Sequence, residues 1–278
     1  MAAVLLASGL NPRKSAEFVA TKTLKDFFDP IGFGGILKGN MFEEIMIDHL
    51  KQSKMKNTSN ENDDVNDFND VDNIQLEHGL VPVAVTGFDL LSMKTKILKN
   101  GCMGRAARAS ACFPILFQPV SWNKPCYCYK KSQEDNDDTS DIASWFSKLK
   151  KWLFIPKYLF IDGGVQDPHG LVGLTALENH QTNKRIVNLA AGPFARGNPP
   201  PPSKMPKGLH GNVSEVLSLS VENAPSCGPE KMSNGPLALQ AAEAAVKAVL
   251  DVPLYRGEED NHFILHIDAL SFIPHEET

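Results

Sequence analysis

The sequence predicts an α/β protein on a mostly parallel sheet with helices on both faces, and three observations carry that expectation. Apolar strand-like runs alternate with helix-like runs along most of the chain. One strongly apolar strand, Lys157-Tyr158-Leu159-Phe160-Ile161-Asp162, runs straight into Gly163-Gly164. Of the 278 residues, 42% are hydrophobic, enough to bury a sizeable core beneath both faces of a sheet. One domain spanning residues 1–278 accommodates all of these elements, with disordered insertions near 52–73 and 131–141, where Lys, Asn, Ser and Asp replace the apolar pattern.

Taken in order, residues 1–9 read as a helix of good formers closed by Gly9, with nothing before it to cap its first amides. Asn11-Pro12 caps and starts a second helix, whose apolar positions recur at helical spacing as far as Phe28, until Pro30 stops it. A third helix follows Asn40, with Phe42, Ile45, Met46, Ile47 and Leu50 on one stripe. Residues 80–90 and 91–98 read as two β-branched strands that pair as a hairpin around Leu90 to Met93. A short helix through Ala107 and Ala111 ends at Pro114. After the strand that ends at Asp162, residues 171–180 form a helix candidate, and Lys184 to Gly192 reads as a strand. The Pro-rich run after Arg196 is a loop. Residues 237–250 then form a helix of strong formers, and 262–270 a last apolar strand.

Bulk properties exclude several functions. A formal net charge of -5 gives no basic face for phosphate backbones, so no nucleic acid is expected as partner. Cys102, Cys112, Cys126, Cys128 and Cys227 make an odd set without repeated spacing, which implies neither a disulfide framework nor a zinc site. No cofactor and no metal are expected. No run of about 18 apolar residues is present to span a membrane.

Three segments in this order resemble the patatin-like phospholipase family. Ala107 to Pro114, continuing to Phe117 and Val120, resembles the family's R-A-S-x-A-x-P block, which packs beneath its active site. Phe160-Ile161-Asp162-Gly163-Gly164-Val165 resembles its strand and D-G-G/A motif, and Met1 to Pro12 resembles the helix that follows its G-x-S-x-G nucleophile elbow. The resemblance implies a three-layer fold with a mostly parallel central sheet, and hydrolysis of acyl esters of glycerolipids or phospholipids by a Ser–Asp dyad without a cofactor. It makes Asp162 the catalytic base and Gly163 and Gly164 parts of its motif. A carboxylate within hydrogen-bond reach of a hydroxyl accepts its proton as the nucleophile adds, while backbone amides hold the alkoxide.

The chain departs from the family pattern in having no G-x-S-x-G. Ala224-Pro225-Ser226-Cys227-Gly228 lacks the first glycine and follows no apolar strand, so Ser226 is rejected as nucleophile. Gly32-Phe33-Gly34-Gly35 lies after two helices and lacks the arginine of the oxyanion loop. The expectation is therefore that Met1 is internal to a longer protein whose first strand, oxyanion loop and elbow precede it, and that the chain alone is inactive. A non-catalytic lipid-surface or scaffold protein that keeps the fold is the alternative.

Blander roles compete for most of the remaining residues. Asp-Gly pairs usually close turns, and what distinguishes Asp162 is its place at the carboxyl end of an apolar strand, where open α/β sheets bind ligands. Arg108 is expected in a structural salt bridge, Asp167 to Gly170 in a turn, and His262 and His266 as satisfied structural histidines on one strand face. From Asp141 to Phe154, Trp145, Phe146 and Trp152 line an apolar stripe opposite Lys148, Lys150 and Lys151. That pattern suits a helix lying in a membrane interface or on a lipid droplet, and equally one packed on a core. A cytoplasmic or peripheral membrane location is expected.

Overall fold

The computed structural model describes residues 1–29, 35–52, 74–122, 156–177, 184–190, 198–250, 255–256 and 261–273. The chain folds into two compact units, one of residues 1–10 and 28–163, the other of residues 11–27 and 164–278. It is a mixed α/β protein whose longest strand ladders are parallel, in keeping with the expected class. From residue 53 onward the first expected insertion lies outside the described residues, as do the whole second insertion and the Trp–Lys stretch with Trp145, Phe146, Lys148, Lys150, Lys151 and Trp152.

The first unit opens with helix α1 (Ala2–Ala7), which buries Val4, Leu5 and Ala7. Ser8 donates its hydroxyl to the Leu5 carbonyl at 2.7 Å, and Gly9, at φ 77°, turns the chain out of the helix, as expected. Strand β1 (Gly35–Leu37) pairs in parallel with β4 (Ile115–Phe117). Helix α3 (Asn40–Leu50) packs on α4 (Met103–Ser110). Its first amides are capped from outside, because the Asp29 carboxylate accepts from Asn40 N at 2.6 Å and Met41 N at 3.3 Å.

Strands β2 (Val85–Asp89) and β3 (Lys94–Leu98) form the expected hairpin. They continue into an antiparallel sheet of order β3-β2-β6-β5, where β5 is Val120–Ser121 and β6 is Leu159–Asp162. The D-G-G strand thus sits in an antiparallel sheet, whereas the expectation was a mostly parallel one. A hairpin turn without a crossover helix sets β2 and β3 antiparallel, and β6 runs antiparallel to both of its neighbours, β2 and β5.

In the second unit, helix α2 (Pro12–Ala20) is capped as expected by Asn11, whose side chain accepts from Arg13 N and Lys14 N. It ends well short of Phe28. The Asp26 carboxylate takes the Thr23 amide at 2.7 Å and hydroxyl at 2.8 Å, drawing Leu24–Phe27 into a separate 3-10 turn. The main sheet has order β7-β8-β10-β9, formed by β7 (Lys184–Ala190), β8 (Val213–Glu222), β9 (Tyr255–Arg256) and β10 (His262–Asp268). One core gathers Leu171, Ile186, Met205, Leu209, Val213 and Val216. Helix α6 (Gly235–Val249) builds another, setting Ala241 and Ala245 with Leu265 and Ile267. Helix α5 is shorter than its sequence suggests, spanning Leu171–Thr175. Among the described residues no helix is long and apolar enough to cross a membrane.

Candidate active site around Asp162

Residue Asp162 ends β6 opposite Gly87 of β2, and its amide donates to the Cys112 carbonyl at 2.9 Å. Strand β6 is short and apolar, with Phe160 and Ile161 buried, so the half-buried carboxylate emerges where the strand leaves the core. The residue after it has no freedom of identity. A side-chain carbon on Gly163 would lie 2.3 Å from the Thr86 carbonyl oxygen and 2.7 Å from its hydroxyl oxygen. Only glycine lets the strand end that close to β2. The chain then turns through a 3-10 segment, Gly163–Val165, that contains Gly164.

Helix α4 forms a wall of this site. Its segment ends in Cys112, which is fully buried and whose thiol faces the Gln118 carbonyl at 3.3 Å. Burial pushes that thiol up to about 12, with Arg108 pulling it down and the charge of Asp162 raising it. The thiol therefore stays protonated at neutral pH and is no nucleophile. Arg108, also on α4, donates to Glu43 Oε2 at 3.0 Å and Asn40 Oδ1 at 3.2 Å and to the Lys38 carbonyl. The Arg108–Glu43 pair is buried on both sides, so Arg108 has the structural role its sequence suggests. It ties α3 and the loop before it to α4, and thereby fixes the wall against which Asp162 is held.

The start of α1 completes the surroundings. Met1 makes no side-chain cap to the helix, and its carbonyl accepts the first helical bonds, from Val4 N at 3.0 Å and Leu5 N at 3.2 Å. Met1 is half-buried as a residue, but its backbone nitrogen lies inside the fold. Burial lowers the pKa of that amine, and the charge of Asp162 raises it in part. The carboxylate of Asp162 and the first backbone atoms of α1 are therefore electrostatic neighbours. Helix α1 is carried there by its own packing, and the Ala7 carbonyl accepts from Leu80 N at 2.7 Å.

Other candidates belong to the second unit. Ser226 lies outside any helix or strand in the second unit, its carbonyl accepting from Asn234 Nδ2 at 2.9 Å. Asp167 is buried in the expected turn, where Oδ2 accepts from Val172 N at 3.1 Å. His266 Nδ1 meets Ser220 Oγ and Glu222 Oε1, each at 2.8 Å. A single nitrogen serves both contacts, which is not the relay a Ser–His–acid triad needs. His262 departs from its expected satisfied state: it is buried, and among the described residues neither ring nitrogen has a hydrogen-bond partner. Among the described residues no group of three or more His, Cys, Asp or Glu side chains is arranged to hold a metal ion.

Sequence reasoning missed the parts played by Thr86 and Cys112. Thr86 has no motif of its own and comes to Asp162 through the pairing of β2 with β6, while Cys112 stands in the R-A-S-x-A-x-P block and meets the Asp162 amide through its carbonyl. The model of the patatin-like phospholipase family matches residues 1–174 of the chain. The curated proteins offer no match to it.

Proposed function

This chain belongs to the patatin-like phospholipase family, and on that premise we propose that Asp162 is the proton-accepting half of a Ser–Asp dyad that hydrolyses acyl esters of glycerolipids or phospholipids. The observation that carries the reading is the place of Asp162 at the end of apolar strand β6, followed by a glycine that the close approach of β2 requires, and its charge is felt at the Met1 amine that opens α1. Helix α1 resembles the one that follows the family's nucleophile elbow. A serine immediately ahead of α1 would then stand beside this carboxylate, and the 278 residues contain no G-x-S-x-G of their own. The nucleophile is accordingly proposed to be encoded upstream of Met1.

In the first half-reaction the carboxylate takes the serine proton as the oxygen adds to the ester carbonyl. The proton then passes to the departing alcohol or lysolipid, leaving an acyl-serine. In the second half, water gives its proton to the same carboxylate as it attacks the acyl carbon, the bond to the serine oxygen breaks to release the fatty acid, and the carboxyl returns the proton to the serine. Backbone amides that hold the oxyanion belong to the same upstream segment. The stripe of Trp145, Phe146 and Trp152 beside Lys148, Lys150 and Lys151 is proposed to meet the lipid surface, consistent with a cytoplasmic or peripherally membrane-bound enzyme.

The absence of a serine elbow from these residues favours one other reading, a lipid-surface protein that keeps the fold without the chemistry. Ester hydrolysis separates the two. A chain extended by its in-frame upstream sequence is expected to hydrolyse a phospholipid or monoacylglycerol, and Asp162→Asn to lower kcat by about a hundred-fold or more. The dyad fails if the extended chain and its Asp162→Asn variant are equally active. It also fails if the present chain alone shows activity that depends on Asp162, since a nucleophile would then lie within it.

A further inference from the structure

We propose that the β2–β3 hairpin is a membrane-docking element, whose tip residues Leu91 and Met93 enter a bilayer while Lys94 and Lys96 meet anionic headgroups. The tip is apolar and open to solvent, with Leu91 51% and Met93 64% exposed. Such side chains on a turn lie where polar residues normally stand, because a turn has no core to cover.

This turn is rigid. The Asp89 carboxylate, 1% exposed, accepts from Leu91 N at 3.2 Å, from Ser92 N at 3.2 Å and from Ser92 Oγ at 2.6 Å. It also accepts from Leu159 N at 3.0 Å, and Leu90 N donates to the Leu159 carbonyl at 2.9 Å. Met93 is held at φ 52°, a left-handed conformation that a non-glycine residue adopts at a cost. Collapse onto the sheet would hide Leu91 and Met93 from water, yet the bonds to Asp89 hold the turn away from it.

Charge and aromatic residues surround the same end of the sheet. Lys94 follows the tip directly, and Lys96 Nζ lies 5.7 Å from the Tyr158 ring centroid, with Lys157 Nζ at 5.3 Å. Tyr158 stacks on buried Phe160 at 5.6 Å, and Trp122 meets the Phe160 edge at 5.8 Å. An apolar tip with lysines and amphipathic rings just behind it matches the layering of a bilayer surface, where hydrocarbon gives way to headgroups. Two apolar side chains are far too little for a protein partner, which needs about 800 Å² on each side. The lipid nature of the partner rests on the family reading above. Docking itself needs no hydrolysis, so vesicle binding and ester hydrolysis fail separately.

Co-sedimentation of the full chain with vesicles of phosphatidylcholine and phosphatidylserine tests this directly. The wild-type chain is expected to bind them, and to bind pure phosphatidylcholine vesicles more weakly. Leu91→Ser with Met93→Ser is expected to reduce binding by about ten-fold or more, and Lys94→Glu with Lys96→Glu by more than about 25-fold, at about five-fold per lysine. As a second readout, Met93→Trp should add to the emission of the native Trp122, Trp145 and Trp152 a component, seen as the difference from the wild-type chain, that shifts to the blue and is quenched by brominated lipid. Wild-type binding that survives both double substitutions, no vesicle binding by the wild-type chain, or a Met93→Trp emission unchanged by vesicles would each overturn the proposal.

Discussion

At the scale of single residues, two carboxylates in one unit have opposite duties. Asp89 is buried to shape a turn, and Asp162 stands half-buried at a strand end. Burial by itself would raise the Asp89 pKa, but the donors from Leu159, Ser92 and Leu91 outweigh it and hold the carboxyl below its ordinary value of 3.8. A carboxylate with a depressed folded pKa stabilises fully above its unfolded pKa, and that contribution is lost as pH falls through the folded value. Asp89→Asn is therefore expected to cost about 2 kcal/mol at neutral pH by weakening these bonds. The gap between the two proteins should narrow as the pH drops below about 4. Urea unfolding followed across that range checks it, and two stability curves that run parallel would contradict the assignment. Asp162 was legible from sequence because the apolar run before it announces a strand and the two glycines announce its end. The reason for the first glycine was not legible, since only pairing with β2 brings the Thr86 carbonyl against it.

At the scale of elements, the helices whose apolar stripes were complete were read correctly, and so was the hairpin with its alternating strands. Strand β8 escaped, although it is an interior strand of its sheet, between β7 and β10. Leu217, Leu219 and Val221 alternate there with Ser218, Ser220 and Glu222, so the period was present, but serines dilute the β-branched signal. One of those serines, Ser218, is buried and satisfied by Asn188 Nδ2 at 3.2 Å, a partner from another strand that no local pattern reveals. The overlong reading of α2 has a similar cause, because Asp26 competes for the Thr23 amide.

The joint between α3 and α4 is the element-level feature with the largest expected energy. Removing one member of a buried ion pair leaves the other charge without compensation. Arg108→Ala is expected to destabilise the fold by about 3 to 5 kcal/mol, while Arg108→Met combined with Glu43→Leu costs much less. Chemical denaturation of the three proteins measures both. Equal losses in the single and double variants would show that shape at this joint, rather than charge, is what matters.

At the scale of the whole molecule, the family match ends at residue 174, so it covers the first unit and, of the second, residues 11–27 and 164–174. The chemistry proposed here belongs to the first unit. There β6 presents a carboxylate, α4 and its buried ion pair back it, β2 sets the glycine that follows, and α1 begins beside it. The central claim is that this carboxylate serves a serine placed immediately before α1. Mass spectrometry after treatment with a fluorophosphonate tests it most directly, using the extended chain beside the chain of 278 residues. The account predicts one covalent adduct, on a serine just upstream of Met1, formed far more slowly in Asp162→Asn and absent from the shorter chain. An adduct on Ser226 or on any other serine within the 278 residues would contradict it.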